Sequence, residues 1–209
     1  MLELKGINKS YKDKQIFQNY DLKIDDGEMI AIKGQSGSGK TTLIRILSLM
    51  DNDFSGEYLI DGIDVSNIKN RNKIRIDNFS VVYQNYNLIE YLTAYENVSL
   101  ALKLAKRKID NQLIDELFEK YNLKDVKNKV AGTLSGGEAQ RVAIIRALVT
   151  KPKYIIADEP TGNLDEINTK IVMDSFKEIN KNGVGIVMVT HSNELDSYFD
   201  RIIKVLKNE

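Results

Sequence analysis

Met29-Ile30-Ala31-Ile32-Lys33, running into Gly34-Gln35-Ser36-Gly37-Ser38-Gly39-Lys40-Thr41-Thr42, is the stretch on which the reading of this chain turns. A short apolar run that ends in glycines predicts a buried strand over 28–33. Beyond the loop, Leu43, Ile44, Ile46, Leu47 and Met50 give a helix one apolar side. Strand, loop and helix in that order frame G-x-x-x-x-G-K-[ST], the pattern of a loop that cradles phosphates. Its glycines let main-chain N–H groups turn inward around β- and γ-phosphate oxygens, and the helix start adds a favourable dipole. Lys40 is expected to neutralise the β/γ charge, and Thr41 to offer its hydroxyl to Mg²⁺. A merely flexible Gly/Ser turn would match on the order of once per hundred chains of this length, before the flanking elements are counted. ATP with Mg²⁺ is therefore the expected ligand.

A second stretch points to the same edge of the fold. Tyr154-Ile155-Ile156-Ala157 reads as a strand buried on both faces, and it ends in Asp158-Glu159-Pro160. Open α/β sheets place ligands outside the C-terminal ends of their strands, so this pair should meet the Lys40 loop there. Asp158 then suits a Mg²⁺ role and Glu159 the polarising of an attacking water. Alone, Asp-Glu-Pro at a strand end would be an ordinary solvated turn. Beside a phosphate loop it reads as chemistry.

The remaining chain supplies an α/β rhythm. Residues 2–10 and 15–24 look strand-like, as do 57–60 before the Asp61-Gly62 turn and 79–83. Residues 94–121 turn helical, with Leu100, Leu102, Leu104, Leu113, Ile114, Leu117 and Phe118 near helical spacing. Helices over 137–149 and 166–180 alternate with strands over 154–157, 185–189 and 202–206. That alternation predicts a parallel sheet with crossover helices. The middle stretch breaks the rhythm, so a helical subdomain is expected at about 85–150 within a single domain over 1–209.

The chain has 209 residues, 30 Lys and Arg against 30 Asp and Glu, and no cysteine. Balanced charge gives no field toward nucleic acid, and the lack of cysteine removes disulfides and thiolate metal sites. No window approaches eighteen uninterrupted apolar residues, and the start lacks the pattern of a signal peptide. A cytoplasmic protein that meets a membrane through a partner is expected.

Leu134-Ser135-Gly136-Gly137-Glu138-Ala139-Gln140-Arg141 opens another helix on glycines, a second potential anion site. Its bland alternative is a Ser N-cap with Glu138 in the first turn. Leu-Ser-Gly-Gly-Glu ahead of an Asp-Glu pair, behind a Gly-Lys-Thr loop, resembles the ATPase subunit of an ATP-binding cassette transporter. The resemblance spans nearly the whole chain, with the motifs in the family's order. It implies a P-loop NTPase core with a parallel sheet and flanking helices, an N-terminal antiparallel β subdomain and an inserted helical subdomain. It also implies a dimer in which Ser135, Gly136 and Gly137 of one subunit close over the ATP held by the other.

Matching the motifs residue by residue carries further roles. Tyr11 resembles the aromatic residue that stacks on adenine, and Gln84 the glutamine that senses Mg²⁺ and links to the membrane partner. Asp165, in Gly162-Asn163-Leu164-Asp165, matches the loop that communicates across the dimer. His191, the only histidine, follows strand 185–189 as the family's switch histidine does, at a place for a γ-phosphate contact. With Lys40 and Glu159 it completes the expected catalytic set.

The segment Asp158–Asp165, Ser-Gly-Gly-Glu138 and Leu92-Thr-Ala-Tyr-Glu-Asn-Val98 resemble the branch with macrolide exporters, lipoprotein-release ATPases and antimicrobial-peptide transporters. Asn128–Thr133 lacks the proline often found before the signature, and the chain ends soon after His191, as a minimal motor would. Tyr86, Leu88, Ile89, Tyr91, Leu92 and Tyr95 form a candidate patch for a coupling helix of an integral membrane permease. A cytoplasmic ATP-driven switch without transport is the alternative, weakened by the single cassette and the absence of heptads.

Overall fold

The computed structural model describes residues 1–12, 14–66 and 68–207. Its elements run β1 (Leu2–Tyr11), β2 (Lys14–Ile24), β3 (Met29–Lys33), α1 (Lys40–Leu47), β4 (Ser55–Ile60), β5 (Ile63–Asp64), α2 (Arg71–Asn78) and β6 (Phe79–Tyr83). Then follow α3 (Ala94–Leu104), α4 (Asn111–Lys120), α5 (Gly136–Leu148), β7 (Tyr154–Asp158), α6 (Glu166–Lys181), β8 (Gly185–Val189) and β9 (Arg201–Lys204). Two sheets result. One is antiparallel with order β2-β1-β4-β5, the other parallel with order β6-β7-β8-β3-β9.

The central strands β7, β8 and β3 are covered on both faces, which is why they are apolar along nearly their whole length rather than alternating, while the edge strand β9 is mostly exposed. Tyr154, Ile155, Ile156 and Ala157 are all fully buried, as their sequence predicted. Their alternation divides the core. Ile155 and Ala157 join the layer containing Val98, Phe118, Ile144 and Phe176 from α3, α4, α5 and α6. Tyr154 and Ile156 join the layer of Leu43 and Ile46 from α1 with Leu4, Phe17 and Tyr58 of the antiparallel sheet. Each such aliphatic side chain stabilises the fold by roughly 1.5–3 kcal/mol.

Three features depart from the sequence reading. Helix α2 and the two-residue strand β5 carry no buried residue, so neither leaves a periodic apolar signal. The helical stretch 94–121 is two helices. The first closes at Ala105, Lys106 follows at φ 55°, and the Asp110 carboxylate caps α4 by accepting from the Leu113 N–H. Helix α1 stops at Leu47, and Leu49 at φ 56° turns the chain back, ending the apolar run before Met50. Among the described residues no helix is long and apolar enough to cross a membrane.

Candidate active site

The pairing of the parallel sheet sets which side chains meet. Asp158 lies opposite Tyr83 of β6 and Val189 of β8, and β8 also pairs with β3 through Val189 and Ile32. Loops leaving the C-terminal ends of β3, β6, β7 and β8 therefore emerge on one edge, carrying Gly34, Gln84, Glu159 and His191. There a cavity of about 460 Å³ takes Ser36, Gly37, Gly39, Lys40, Thr41 and Thr42 from the phosphate loop. Asp158, Glu159, His191 and Tyr11 also line it.

The loop is shaped for an anion. Gly39 occupies the N-cap of α1 at φ 102°, a conformation costly for any side chain, and an added Cβ would sit 2.7 Å from Ile16 Cγ2. Among the described residues no side chain caps the helix, and no acid sits in its first turn, so none of those side chains accepts from its opening N–H groups. Lys40, only 7% exposed, folds back to donate to the Gly34 and Gln35 carbonyls at 2.8 and 3.0 Å. A buried ammonium at the positive end of a helix is favourable only when a negative group joins it. The Ser38 hydroxyl is also buried and has no hydrogen-bond partner among the described residues.

Opposite the loop, Asp158 has its carboxyl raised above the ordinary value by burial and by the neighbouring Glu159 charge, with Lys40 pulling it back. Glu159 adopts φ 47°, unusual for a residue with a side chain, and its N–H donates to the Val189 carbonyl at 3.0 Å. That backbone turns its carboxylate toward His191, whose Nε2 lies 3.0 Å from Oε1. A carboxylate and an imidazole in contact beside an anion cradle can orient a water and report on the group it attacks.

The other expected residues are distributed more widely. Tyr11 lines the cavity, and its hydroxyl donates to Asp51 Oδ2 at 2.8 Å. Gly34 and Gln35 bound a larger neighbouring cavity of about 740 Å³, with His191 as the shared wall. Gln84 sits at the same sheet edge but outside the cavity lining, its amide donating to Asn163 Oδ1 at 3.1 Å. Ser135, Gly136, Gly137 and Asp165 are also outside that lining. Ser135 caps α5 in a reciprocal box with Glu138, while Gly136 faces Tyr86 and Gly137 faces Asn168. Asp165 caps α6, accepting from the Asn168 N–H at 2.7 Å and its amide at 2.8 Å, and these bonds lower its pKa.

Lys14 of β2 also lines the cavity, and the sequence reading missed it because only the folding of a distant hairpin over the loop brings it there. Of the apolar residues between Gln84 and Val98, Leu88 and Tyr95 pack against the helical core and Tyr91 is exposed. Ile89 lines a separate groove of about 410 Å³ with Tyr83, Arg75, Leu100, Leu104 and Arg146.

Known proteins share this chain's sequence pattern and fold. The model of the ABC transporter family matches residues 17–162. The chain is 41% identical to the lipoprotein-releasing system ATP-binding protein LolD of Aquifex aeolicus, over 98% of this chain and 93% of that one. It is 37% identical to the macrolide export ATP-binding/permease protein MacB of Campylobacter jejuni, over 100% of this chain and 33% of that longer one. The dimeric structure of MJ0796, a bacterial ABC transporter cassette, superposes with a TM-score of 0.88 at 36% identity, covering 99% of this chain and 94% of that one. A second dimeric structure of that cassette, a post-hydrolysis state bound to ADP and Pi, has a TM-score of 0.88 at 35% identity, covering 100% and 97%. Sequence and fold agree: the chain belongs to the ABC transporter family, as its ATP-binding and ATP-hydrolysing subunit.

Proposed function

We propose that this subunit drives export or release of a peptide, lipoprotein or drug-like substrate, working as two copies that close over two ATP molecules. The Glu159–His191 contact beside an uncapped phosphate loop is the observation that carries the hydrolytic part. Lys40 and the first-turn N–H groups hold the β- and γ-phosphates. Glu159 takes the proton of the attacking water, and His191 keeps that carboxylate aimed while contacting the γ-phosphate.

Mg²⁺ fits the donor set. The Thr41 hydroxyl and the Asp158 carboxylate are hard oxygens lining one cavity, and Mg²⁺ is held by one or two such groups together with phosphates and water. Gln84 would reach it from the adjoining loop. The ion would neutralise charge developing on the transferred phosphoryl group. A negative cluster held half-buried, as Asp158 and Glu159 are, is relieved by a cation.

Pairing of two copies explains why Ser135, Gly136, Gly137 and Asp165 stand away from the cavity of their own chain. In the pair, they face the ATP of the other copy. The groove with Ile89, Leu100 and Leu104 then receives a segment of the membrane permease, which holds the subunit at the cytoplasmic face of the membrane. The names of the lipoprotein-releasing and macrolide-export relatives support the direction of transport.

Glu159→Gln tests the chemistry: ATP still binds, turnover falls by roughly 10³-fold, and a dimer accumulates on gel filtration with ATP. Unchanged ATPase activity would remove the base assignment. Co-purification with a membrane protein encoded beside it tests the transport role. Failure to associate with every neighbouring candidate in detergent would sink it.

A further inference from the structure

Tyr11 is a wall between two spaces. One is the nucleotide cavity; the other is an open hollow bounded by Lys9, Arg45, Met50 and Asp51. Lys9 and Tyr11 are two residues apart on β1 and so share a face of the sheet. The Lys9 side chain is 1% exposed, and its ammonium lies 4.6 Å from the Tyr11 ring centroid. Asp51 divides its two oxygens between them: Oδ1 accepts from Lys9 at 3.1 Å and Oδ2 from the Tyr11 hydroxyl at 2.8 Å. Asp53 adds a second carboxylate to Lys9 at 3.2 Å.

Lysine is almost never this buried without partners, and a buried ion pair seldom stabilises a fold more than apolar residues would. Its geometry points to another use. A half-exposed tyrosine at a strand end is free to turn about its side-chain torsions; a cation against one face and a carboxylate on its hydroxyl remove that freedom. Asp51 is itself fixed by its N–H donating to the Arg45 carbonyl at 2.9 Å, where the chain reverses after α1. The ring is thereby tethered to the far end of the helix whose start cradles phosphate.

We propose that Lys9 and Asp51 are positioning residues that hold the Tyr11 ring with one face presented to the adenine of bound ATP. This rests on the stacking role of Tyr11, and the test separates the two. Lys9→Met raises KM for ATP about fivefold with kcat unchanged, and leaves the Ki of inorganic tripolyphosphate, which has no base, at its wild-type value. Lys9→Arg restores the wild-type KM. Tyr11→Phe keeps the Lys9–Asp51 pair and the fold while losing the hydroxyl bond, and raises KM by about threefold; it decides the matter if Lys9→Met does not fold. An unchanged KM in Tyr11→Ala removes the stacking role itself. A raised KM in Tyr11→Ala alongside unchanged values in Lys9→Met and Tyr11→Phe overturns the positioning role alone. Equal loss of ATP and tripolyphosphate binding in Lys9→Met also overturns it, because that pattern marks damage to the phosphate loop.

Discussion

Helices α1 and α5 both start on glycines, yet the two starts are built to opposite ends. At α5, the Ser135 hydroxyl accepts from the Glu138 N–H, the Glu138 carboxylate accepts from Ser135, and an acid occupies the first turn. Those backbone bonds lower the Glu138 pKa, so the carboxylate stays ionised against the positive helix end. At α1 no side-chain cap is found among the described residues, the first turn holds no acid, and the first helical residue is a buried lysine. One start is closed by its own side chains. The other carries no such cap among the described residues, and under the proposed function the phosphates of a nucleoside triphosphate take its place. Similar glycine patterns therefore conceal a difference in function that capping chemistry makes visible.

The sharpest test removes the cation from the α1 start. Lys40→Ala should weaken ATP binding by roughly a hundredfold, about 3 kcal/mol for lost charge-assisted bonds, measured by titration calorimetry. Retained tight binding would erase the contrast. Gly39→Ala attacks the same start through its backbone, since φ 102° and the closeness of Ile16 leave no room for a methyl. A loss of about 2 kcal/mol in denaturant stability is expected, together with weaker ATP binding.

The α5 start should respond in the opposite manner. Ser135→Ala should cost about 1 kcal/mol of stability while ATP affinity of the single subunit stays at the wild-type value. A large loss of that affinity would mean α5 serves the nucleotide of its own chain. The smallest effect concerns Asp158. Its folded pKa is raised above the unfolded one, so its ionised form costs stability at neutral pH, and that cost fades as pH falls through the raised value toward the ordinary carboxylate range. Asp158→Asn should therefore raise Tm at pH 7 by about 1–2 °C, with the gain shrinking on acidification. A lowered Tm at pH 7 would show that the half-buried charge is already compensated without a ligand.

The phosphate loop, the Asp158–Glu159 strand end and the alternation of strands and helices could all be read from the residues alone. Each is written within a few neighbouring residues: glycines that permit positive φ, apolar runs long enough for one strand, carboxylates where such a run stops. Tertiary structure alone decided that Lys14 reaches the phosphate cavity, that Gln84 meets Asn163 and that Lys9 backs the Tyr11 ring through Asp51. Helix α2 belongs with these, since an element with no buried residue leaves no apolar period to read. Contacts between residues forty or more positions apart depend on how the two sheets and α1 stack, and that is a property of the packed core rather than of any short segment.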